Sequence, residues 1–338
     1  MLTPIKRLSP VLLVLLLAAP AAAQSFEQVG VRALGMGGAF VAVADDASAT
    51  WWNPAGLGTG AYLNAVIERT RTEDIPGRGT PTAGDAGATR GTGTSFALAF
   101  PALGLSYYRV QASAVGPASA GAPGELSMLR TSQFGLTLVQ SLLRGVVVGS
   151  TLKLLRGTVA SVPGTTGDSA TQALTRADQS TGPTSGAFDL DLGLMATAGP
   201  LHLGITAKNV RQPRFAAADG APAVTLARDV RVGAAVAPEL SGRGVIDAFT
   251  VAVDSDVTRT MTVLGVRRPL AAGAEAWLLG RRLGVRGGVR INTLGARLPI
   301  GTAGASVALH SGVYVEGEIS RGQDPAEQGW GIGARLTF

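Results

Sequence analysis

The feature that most constrains the fold is a strict two-residue period at the end of the chain. Over residues 329–338 one alternate set is apolar and ends on an aromatic: Trp330, Ile332, Ala334, Leu336 and Phe338. The intervening set is small or polar: Gly331, Gly333, Arg335 and Thr337. Such alternation is typical of a β-strand with one apolar face. Trp330 and Phe338 are predicted to form a C-terminal insertion signal, and barrel assembly machinery is the partner expected to read it.

The same period recurs after Gly60 in about fourteen segments. Their apolar faces carry Val, Leu, Ile, Ala and Phe, while the opposite faces mix small residues with charges. A soluble β-sandwich also alternates, but it can carry charge freely on its exposed faces. Small residues and facing opposite charges suit a packed lumen, and strands in lipid must close because no backbone group can stay unpaired there. The polar residues expected to face the lumen are Asp189, Asp191, His202, Lys208, Asp254, Arg286, Arg290, Glu316, Glu318 and Arg335.

The sequence therefore predicts an all-β fold, a transmembrane antiparallel β-barrel of about fourteen strands with an N-terminal helical or loop hatch in its lumen. A soluble periplasmic β-protein is the alternative. Long polar connections are expected at residues 72–93, 114–125 and 161–185, and tight turns at 143–145 and 311–312. Long loops at one end and tight turns at the other indicate a fixed orientation in a membrane.

The first 23 residues are typical of a secretory signal peptide. Lys6 and Arg7 precede an apolar run at residues 11–19, and three alanines at 21–23 offer a cleavage site. No later apolar run reaches the ~20 residues that a spanning helix needs. The mature chain is expected to consist of a hatch at 24–60 and a barrel at 61–338. Its expected location is the outer membrane of a Gram-negative-type bacterium, with outer-membrane lipid as a partner.

Composition argues against several functions. The chain has no cysteine, which excludes disulfides, thiolate metal sites and cysteine nucleophiles. The formal charge is +6, but the basic residues are mostly isolated arginines, so no nucleic-acid partner is expected. His202 and His310 lie on different predicted strands without a second ligand at metal spacing, and both are expected to be lumen filler. No metal, no cofactor and no enzymatic activity are predicted.

The densest motif lies at residues 32–57 and precedes the predicted strands. Gly37 and Gly38 indicate a chain that turns sharply and passes close to other backbone. Asp46 is expected to cap a short helical turn, and Asp45 lies beside it. Asn53 before Pro54 predicts a second capped turn, because the residue before proline is held extended and proline suits the first helical position. Trp51 and Trp52 are expected to pack between the two turns.

This block resembles the FadL-like superfamily of outer-membrane proteins, and more closely its PorV/PorQ-like and TraF-like branches. The residues that carry the resemblance are 34–40, 44–49 and 53–57, with support from 207–210 at a predicted strand end. The resemblance implies a fourteen-strand barrel with a hatch in the lumen. Asn53, Pro54 and Ala55 match the hatch motif of that family.

Two functions follow from the resemblance. In the fatty-acid transporter branch, hydrophobic substrates bind inside and leave through the wall, which implies passive uptake or export of a small hydrophobic compound. The PorV-like branch instead implies a non-transporting interaction or shuttle protein of an envelope or secretion system, with a secreted protein as its partner.

Overall fold

The computed structural model describes residues 26–75, 87–116, 124–218, 223–240, 244–262, 265–295, 299–322 and 327–338. The predicted signal peptide lies outside these ranges. Five short helical segments are present in them: the 3₁₀ helix η1 (Phe26–Gln28), α1 (Val31–Gly35), α2 (Ala49–Trp52), the 3₁₀ helix η2 (Pro54–Thr59) and α3 (Ala170–Gln179).

The remaining elements are strands. In chain order they are β1 (Asn64–Asp74), β2 (Ala88–Phe100), β3 (Leu103–Val115), β4 (Glu125–Leu143), β5 (Val146–Pro163), β6 (Thr184–Ala198), β7 (Leu201–Lys208), β8 (Arg214–Phe215), β9 (Val224–Thr225), β10 (Asp229–Val236), β11 (Ile246–Asp256), β12 (Thr260–Thr262), β13 (Gly265–Arg267), β14 (Pro269–Leu278), β15 (Leu283–Asn292), β16 (Ile300–His310), β17 (Val313–Gly322) and β18 (Glu327–Thr337).

Fourteen of these strands form a closed antiparallel barrel. The order around the wall is β1-β18-β17-β16-β15-β14-β11-β10-β7-β6-β5-β4-β3-β2, and β2 pairs with β1 to close it. The first strand pairs with the last over its whole length, from Asn64 opposite Thr337 to Asp74 opposite Glu327. Two small hairpins, β8–β9 and β12–β13, form separate two-stranded sheets that are not part of the barrel wall. The predicted all-β barrel of about fourteen strands is confirmed.

The apolar faces of the strands point outward. On β17, Val315 and Ile319 are exposed while Glu316 and Glu318 are buried. On β18, Trp330 and Ile332 are exposed while Arg335 is buried. A water-soluble protein buries its apolar face, so an inverted pattern that runs around the wall fits a barrel wetted by hydrocarbon. No helix within the described ranges is long and apolar enough to cross a bilayer.

The two ends of the barrel differ, as predicted. Short turns such as Arg144–Gly145 and Ser311–Gly312 lie at the end where β1 begins and β18 finishes, called here the turn end. Longer connections, including the one that carries α3, lie at the opposite loop end. In bacterial outer-membrane barrels these are the periplasmic and extracellular ends respectively.

The expected loop bounds were partly wrong. β1 continues to Asp74 and β2 begins at Ala88, so both extend into the predicted loop at 72–93. The loop predicted at 161–185 contains α3, which has a capping box formed by Ser169 and Gln172. The sequence reasoning overlooked this Ser-x-x-Gln signal because the surrounding residues are typical of a mobile loop.

Candidate functional site

The N-terminal hatch fills the lumen. Every residue from 26 to 57 is buried except Asp45. Its aromatic centre is fixed by the chain itself, because the indole Nε1 of Trp51 donates to the Phe26 carbonyl (3.0 Å) and that of Trp52 donates to the Val29 carbonyl (3.1 Å). Phe40 meets the ring of Trp52 edge-on at 6.0 Å. The two tryptophans are therefore the core of the hatch.

Arg32 on α1 ties the hatch to the wall. Its Nε donates to Oε1 of Glu275 on β14 at 2.8 Å, and its Nη2 donates to the other oxygen of the same carboxylate. Its Nη1 contacts Asp45 and reaches Oδ2 of Asp46 at 3.1 Å. Arg32 and Glu275 are both buried, so this bidentate pair is a shielded link between hatch and barrel.

Asp46 caps the helical turn at residues 47–50, as the sequence predicts. Its side chain accepts from the Ser48 amide and its carbonyl from the Ala49 amide, both at 2.9 Å. The N-cap residue of α2 itself is Ser48, which makes no side-chain cap bond, and Asp46 also accepts from Arg32. Burial raises the pKa of Asp46 and the Arg32 guanidinium lowers it, with a net result below the usual value.

Arg231 on β10 makes a second link across the lumen. Its Nη2 donates to Oε1 of Glu27 at 2.6 Å, its Nε donates to Asp256, and its guanidinium lies 4.3 Å from the centre of the Phe26 ring. Asp254 on the adjacent strand accepts from the backbone amides of Phe40 and Val41, both at 2.7 Å. The wall therefore uses charged groups to hold both side chains and backbone of the hatch.

Asn53 adopts the conformation that the sequence predicts. Its φ and ψ are −156° and 105°, and its Oδ1 accepts from the Ala55 amide at 3.2 Å to begin η2, with Pro54 at the first position. Its Nδ2 donates to the carbonyl of Val41 (2.8 Å) and to that of Leu194 on β6 (3.1 Å). One side chain thus caps a turn, joins two parts of the hatch and docks both on the wall.

Glycines of the wall allow the hatch to approach backbone to backbone. A Cβ added to any of the following would lie closer than 2.5 Å to an atom of the hatch: Gly93, Gly149, Gly193, Gly204, Gly273 and Gly288. Within the hatch, Gly37 (φ +73°) would place a Cβ 3.0 Å from the backbone nitrogen of Val289. Gly38 also has a positive φ, of +91°. The sharp turn and close approach predicted for this pair are present.

The polar residues predicted for the lumen fall into two groups around the hatch. Asp189 and Asp191 bind Nζ of Lys153 at 2.8 and 2.6 Å, and Lys153 also reaches Oδ1 of Asn209 at 2.9 Å. Lys208 lies 3.2 Å from the ring centre of Trp51. Lys153 was missed, although it alternates with Leu152 and Leu154 on β5 and could have been found by the same period.

The second group lies on β15, β17 and β18. Glu316 receives Arg335 Nε at 3.1 Å and lies 3.8 Å from Nη2 of Arg286, while Arg290 pairs with Glu327 at 3.6 Å. Glu318 is buried and accepts no hydrogen bond from the described residues. His202 is half-buried on the lumen side of β7, but His310 is exposed beside the Ser311–Gly312 turn. The expectation that His310 fills the lumen was wrong, because a register shift separates it from Ala308.

Two further segments, α3 and the β8–β9 hairpin, pack against the wall towards the loop end. α3 buries Ala173, Leu174 and Ala177, and its Asp178 accepts from Arg90 Nη1 at 2.7 Å. Phe215 of the β8–β9 hairpin is fully buried in an apolar recess formed by Leu129, Leu155, Val159 and Leu226. The burial of Phe215 was not predictable from its local sequence, because Leu129, Leu155 and Val159 of its recess lie more than fifty residues upstream.

Among the described residues, each wall strand is hydrogen-bonded to both of its neighbours. The register shifts of these pairings, at Ser141/Leu143, Ile246/Ala248 and Ala308/His310, all lie at the turn end. Towards the loop end, β6 extends beyond its pairing with β7, which stops at Leu192 opposite Ala207. Two cavities adjoin the hatch. One of ≈90 Å³ lies towards the loop end and is lined by charged residues including Glu27, Asp256 and Arg290. The other, of ≈400 Å³, opens at the turn end beside Asp45, Glu275 and Arg335.

Comparison with solved structures identifies the architecture. The CymD monoaromatic hydrocarbon channel superposes with a TM-score of 0.63 at 16% identity, covering 94% of this chain and 99% of that one. The fold is FadL-like. The Ralstonia pickettii toluene transporter TbuX gives a TM-score of 0.60 at 13% identity, covering 93% of this chain and 99% of that one. A Pseudomonas aeruginosa FadL homologue gives 0.56 at 10% identity, with 92% and 98% covered.

One family model matches part of this chain. Residues 125–256 match the family described as the TraF protein of the F plasmid transfer operon. This segment runs from β4 to β11, downstream of the hatch block. With the structural neighbours it confirms the FadL-like and TraF-like parts of the predicted resemblance. No curated protein matches the chain. A FadL-like barrel with an apolar exterior implies an outer-membrane location.

Proposed function

We propose that this protein is a sealed outer-membrane barrel that serves as a non-transporting interaction protein in the envelope of a Gram-negative-type bacterium. One observation carries the proposal: the hatch is buried in the lumen from residue 26 to residue 57 except at Asp45, and among the described residues each wall strand is hydrogen-bonded to both neighbours, with register shifts only at the turn end. A barrel with neither a lumenal path nor a lateral gap offers its rims, rather than its interior, to other molecules.

The contacts of the hatch support a permanent seal. A plug that moves aside for cargo should leave few charged groups stranded when it goes. Here Arg32 and Glu27 on the hatch pair with Glu275 and Arg231 on the wall, all four buried. Separating a buried pair costs about 3–5 kcal/mol. Two such pairs, together with two backbone bonds to Asp254, make displacement of the whole hatch expensive.

The larger cavity also argues against a hydrophobic cargo. Ligand pockets for apolar compounds are lined mainly by apolar and aromatic side chains. The ≈400 Å³ cavity instead contains Arg32, Asp46, Glu275 and Arg335. An apolar molecule bound there would lose the apolar contacts that it makes in lipid.

The turn end is the surface proposed to meet a partner. Asp45, the one exposed residue of the hatch core, lies there at the mouth of the larger cavity, and Tyr62 is 76% exposed just before β1. In bacterial barrels this end faces the periplasm, where an exported protein or an envelope component passes. A secreted protein or another envelope component is therefore the proposed partner.

Two measurements test the proposal. Proteoliposomes that contain the full barrel should take up toluene or a fatty acid no faster than empty liposomes, while an authentic hydrocarbon channel reconstituted in parallel should accelerate uptake. A photo-crosslinking residue at Tyr62 in cells should give a discrete protein adduct, whereas one at the lipid-facing Leu154 should not. Uptake that rises with the amount of barrel, or no adduct at Tyr62, would contradict the proposal.

A second function, passive movement of small hydrophobic compounds, is favoured by one feature. Phe215 lies in an apolar recess of the inner wall. Its ring packs directly on Gly157, where an added Cβ would lie 2.3 Å from the ring. Replacing Phe215 with Ala would vacate a space of aromatic size. If this recess serves a cargo, the F215A variant should bind toluene where the parent does not, and it should raise uptake in the same proteoliposomes.

A further inference from the structure

The outer face of β1 to β6 carries one continuous row of large apolar residues. The strand registers place Ile67, Phe96, Tyr107, Phe134, Leu154 and Phe188 opposite one another in a single row. All six are exposed, from 37% at Tyr107 to 67% at Leu154. Four are aromatic, and aromatic rows on barrel exteriors lie at the membrane–water interface. On each of these six strands the row is the last large apolar position before the next outward-facing residue towards the loop end becomes polar or glycine.

One row further towards the loop end the chemistry changes. Two residues along each strand, the same registers align Arg69, Thr94, Arg109, Ser132, Arg156 and Gly186. The three arginines are exposed and share the outward face of the aromatic row. Alternate strands carry them, so neighbours stand about 10 Å apart, with a hydroxyl residue between each pair. Arg211 extends the series, since its guanidinium lies 5.3 Å from the ring centre of Phe188.

These arginines differ from those of the lumen. Arg32, Arg231 and Arg335 each meet a carboxylate, whereas none of the ion pairs among the described residues includes Arg69, Arg109 or Arg156. These cations follow directly on the row where the outward face of each strand stops being apolar, which is where a barrel strand leaves the hydrocarbon for the headgroups. Guanidinium groups bind phosphate oxygens with paired N–H donors, and Thr94 and Ser132 add hydroxyl donors between them.

We propose that Arg69, Arg109, Arg156 and Arg211, called here the arginine row, bind the phosphate groups of a phosphorylated glycolipid in the outer leaflet. The occupant is a lipid because the row continues an apolar surface, so that acyl chains can lie along Phe96, Phe134 and Leu154 while the headgroup phosphates meet the guanidinium groups. The spacing of about 10 Å suits two phosphates on one headgroup or on adjacent headgroups better than one small anion. This site is independent of whether the barrel transports anything.

The test compares two double variants of the full barrel. R109Q/R156Q removes two charges from the arginine row, while R144Q/R282Q removes two exposed charges at the turn end and serves as the control. Purified protein in mild detergent is titrated with bisphosphorylated lipid A, and bound copies are counted by native mass spectrometry. Each cation near an anionic lipid surface contributes roughly a fivefold gain, so R109Q/R156Q should bind about thirtyfold more weakly. The control should bind like the parent.

Two further arms separate the sources of phosphate and of lipid. Phosphatidylcholine should bind the parent and both variants equally, and inorganic phosphate at 10 mM should leave lipid A bound. Equal lipid A binding by R109Q/R156Q and the control would overturn the proposal and leave the row to another occupant, such as an acidic protein surface. Displacement of lipid A by inorganic phosphate would overturn the proposal in favour of a free-anion site. If R109Q/R156Q lost phosphatidylcholine binding as much as lipid A binding, the proposal would also be overturned, in favour of general lipid packing.

Discussion

Replacing Gly204 with alanine should loosen the hatch without opening the barrel. Gly204 lies on the lumen face of β7, and a Cβ there would stand 2.8 Å from the carbonyl carbon of Val41 and 3.0 Å from Cα of Ala42. Both are backbone atoms of the hatch, and they cannot turn away as a flexible side chain can. The Val41 amide donates to Asp254 on β11, so this segment of the hatch has little freedom to move away from Gly204.

The size of the effect follows from the nature of the clash. Forcing one extra methyl group into a packed interior costs typically about 1–3 kcal/mol. If the clash destabilises only the docked hatch, the equilibrium constant for local opening of the hatch rises roughly 5- to 150-fold, because each 1.4 kcal/mol is a factor of ten. Gly317→Ala is the matched control. That glycine faces outward on β17, and its added Cβ would find its nearest neighbour 3.9 Å away. Both changes restrict the unfolded chain equally.

Hydrogen exchange of hatch peptides, read by mass spectrometry in detergent, measures the opening directly. The amides of Phe40 and Val41 should exchange faster in G204A than in G317A, while amides of β1, β18 and β17 should keep the same protection in both. Equal exchange of the hatch in the two variants would refute the close backbone contact. Loss of protection throughout the barrel would refute the idea that the hatch can respond by itself.

Other contacts of the hatch give three further predictions. Asn53→Asp should lower the free energy of unfolding in urea by about 1–3 kcal/mol, because a carboxylate cannot donate to the Val41 carbonyl. Asn53→Ala should lower it by no more than Asn53→Asp does. Arg32→Gln and Glu275→Gln should each destabilise by about 3–5 kcal/mol, with a double variant well short of the sum; additive losses in the cycle would contradict a direct pair. The pKa of Asp46 is lowered on folding, so its stabilisation is present above the unfolded value of about 3.9 and is lost as the pH falls through the folded value. Acid unfolding below about pH 4 should therefore be shallower in Asp46→Asn, and identical profiles would contradict the shift.

The fold was predictable because alternation is a local signal. On β18 each of Trp330, Ile332 and Arg335 falls on the face that the two-residue period assigns to it. The same reasoning placed Glu316 and Glu318 in the lumen, since membrane strands have only two faces and lipid selects the apolar one. Strand ends were less predictable, as at Asp74, because a strand that rises beyond the membrane no longer needs an apolar face.

The partners inside the lumen were not predictable. Arg32 and Glu275 are separated by 243 positions, and nothing in either local sequence shows that the side chain of Arg32 reaches Glu275 on β14. The position of Phe215 depends in the same way on a recess built by β4 and β5. Asn53 was predictable because capping is governed by the residue and its neighbour Pro54, yet its second bond, to Leu194 on β6, depends on closure of the barrel.

Hatch and wall depend on each other electrostatically. Glu275 and Arg231 are wall residues buried in the lumen, and their closest opposite charges include Arg32 and Glu27 of the hatch. Without the hatch these wall charges would need water, and so would the backbone-facing carboxylate of Asp254. The barrel interior is thus built to receive one specific segment of its own chain, through glycines for its backbone and charges for its side chains. A lumen so specialised for its own N-terminus has little capacity left for a variable cargo, which is why the rims and the outer wall are where we place the recognition of other molecules.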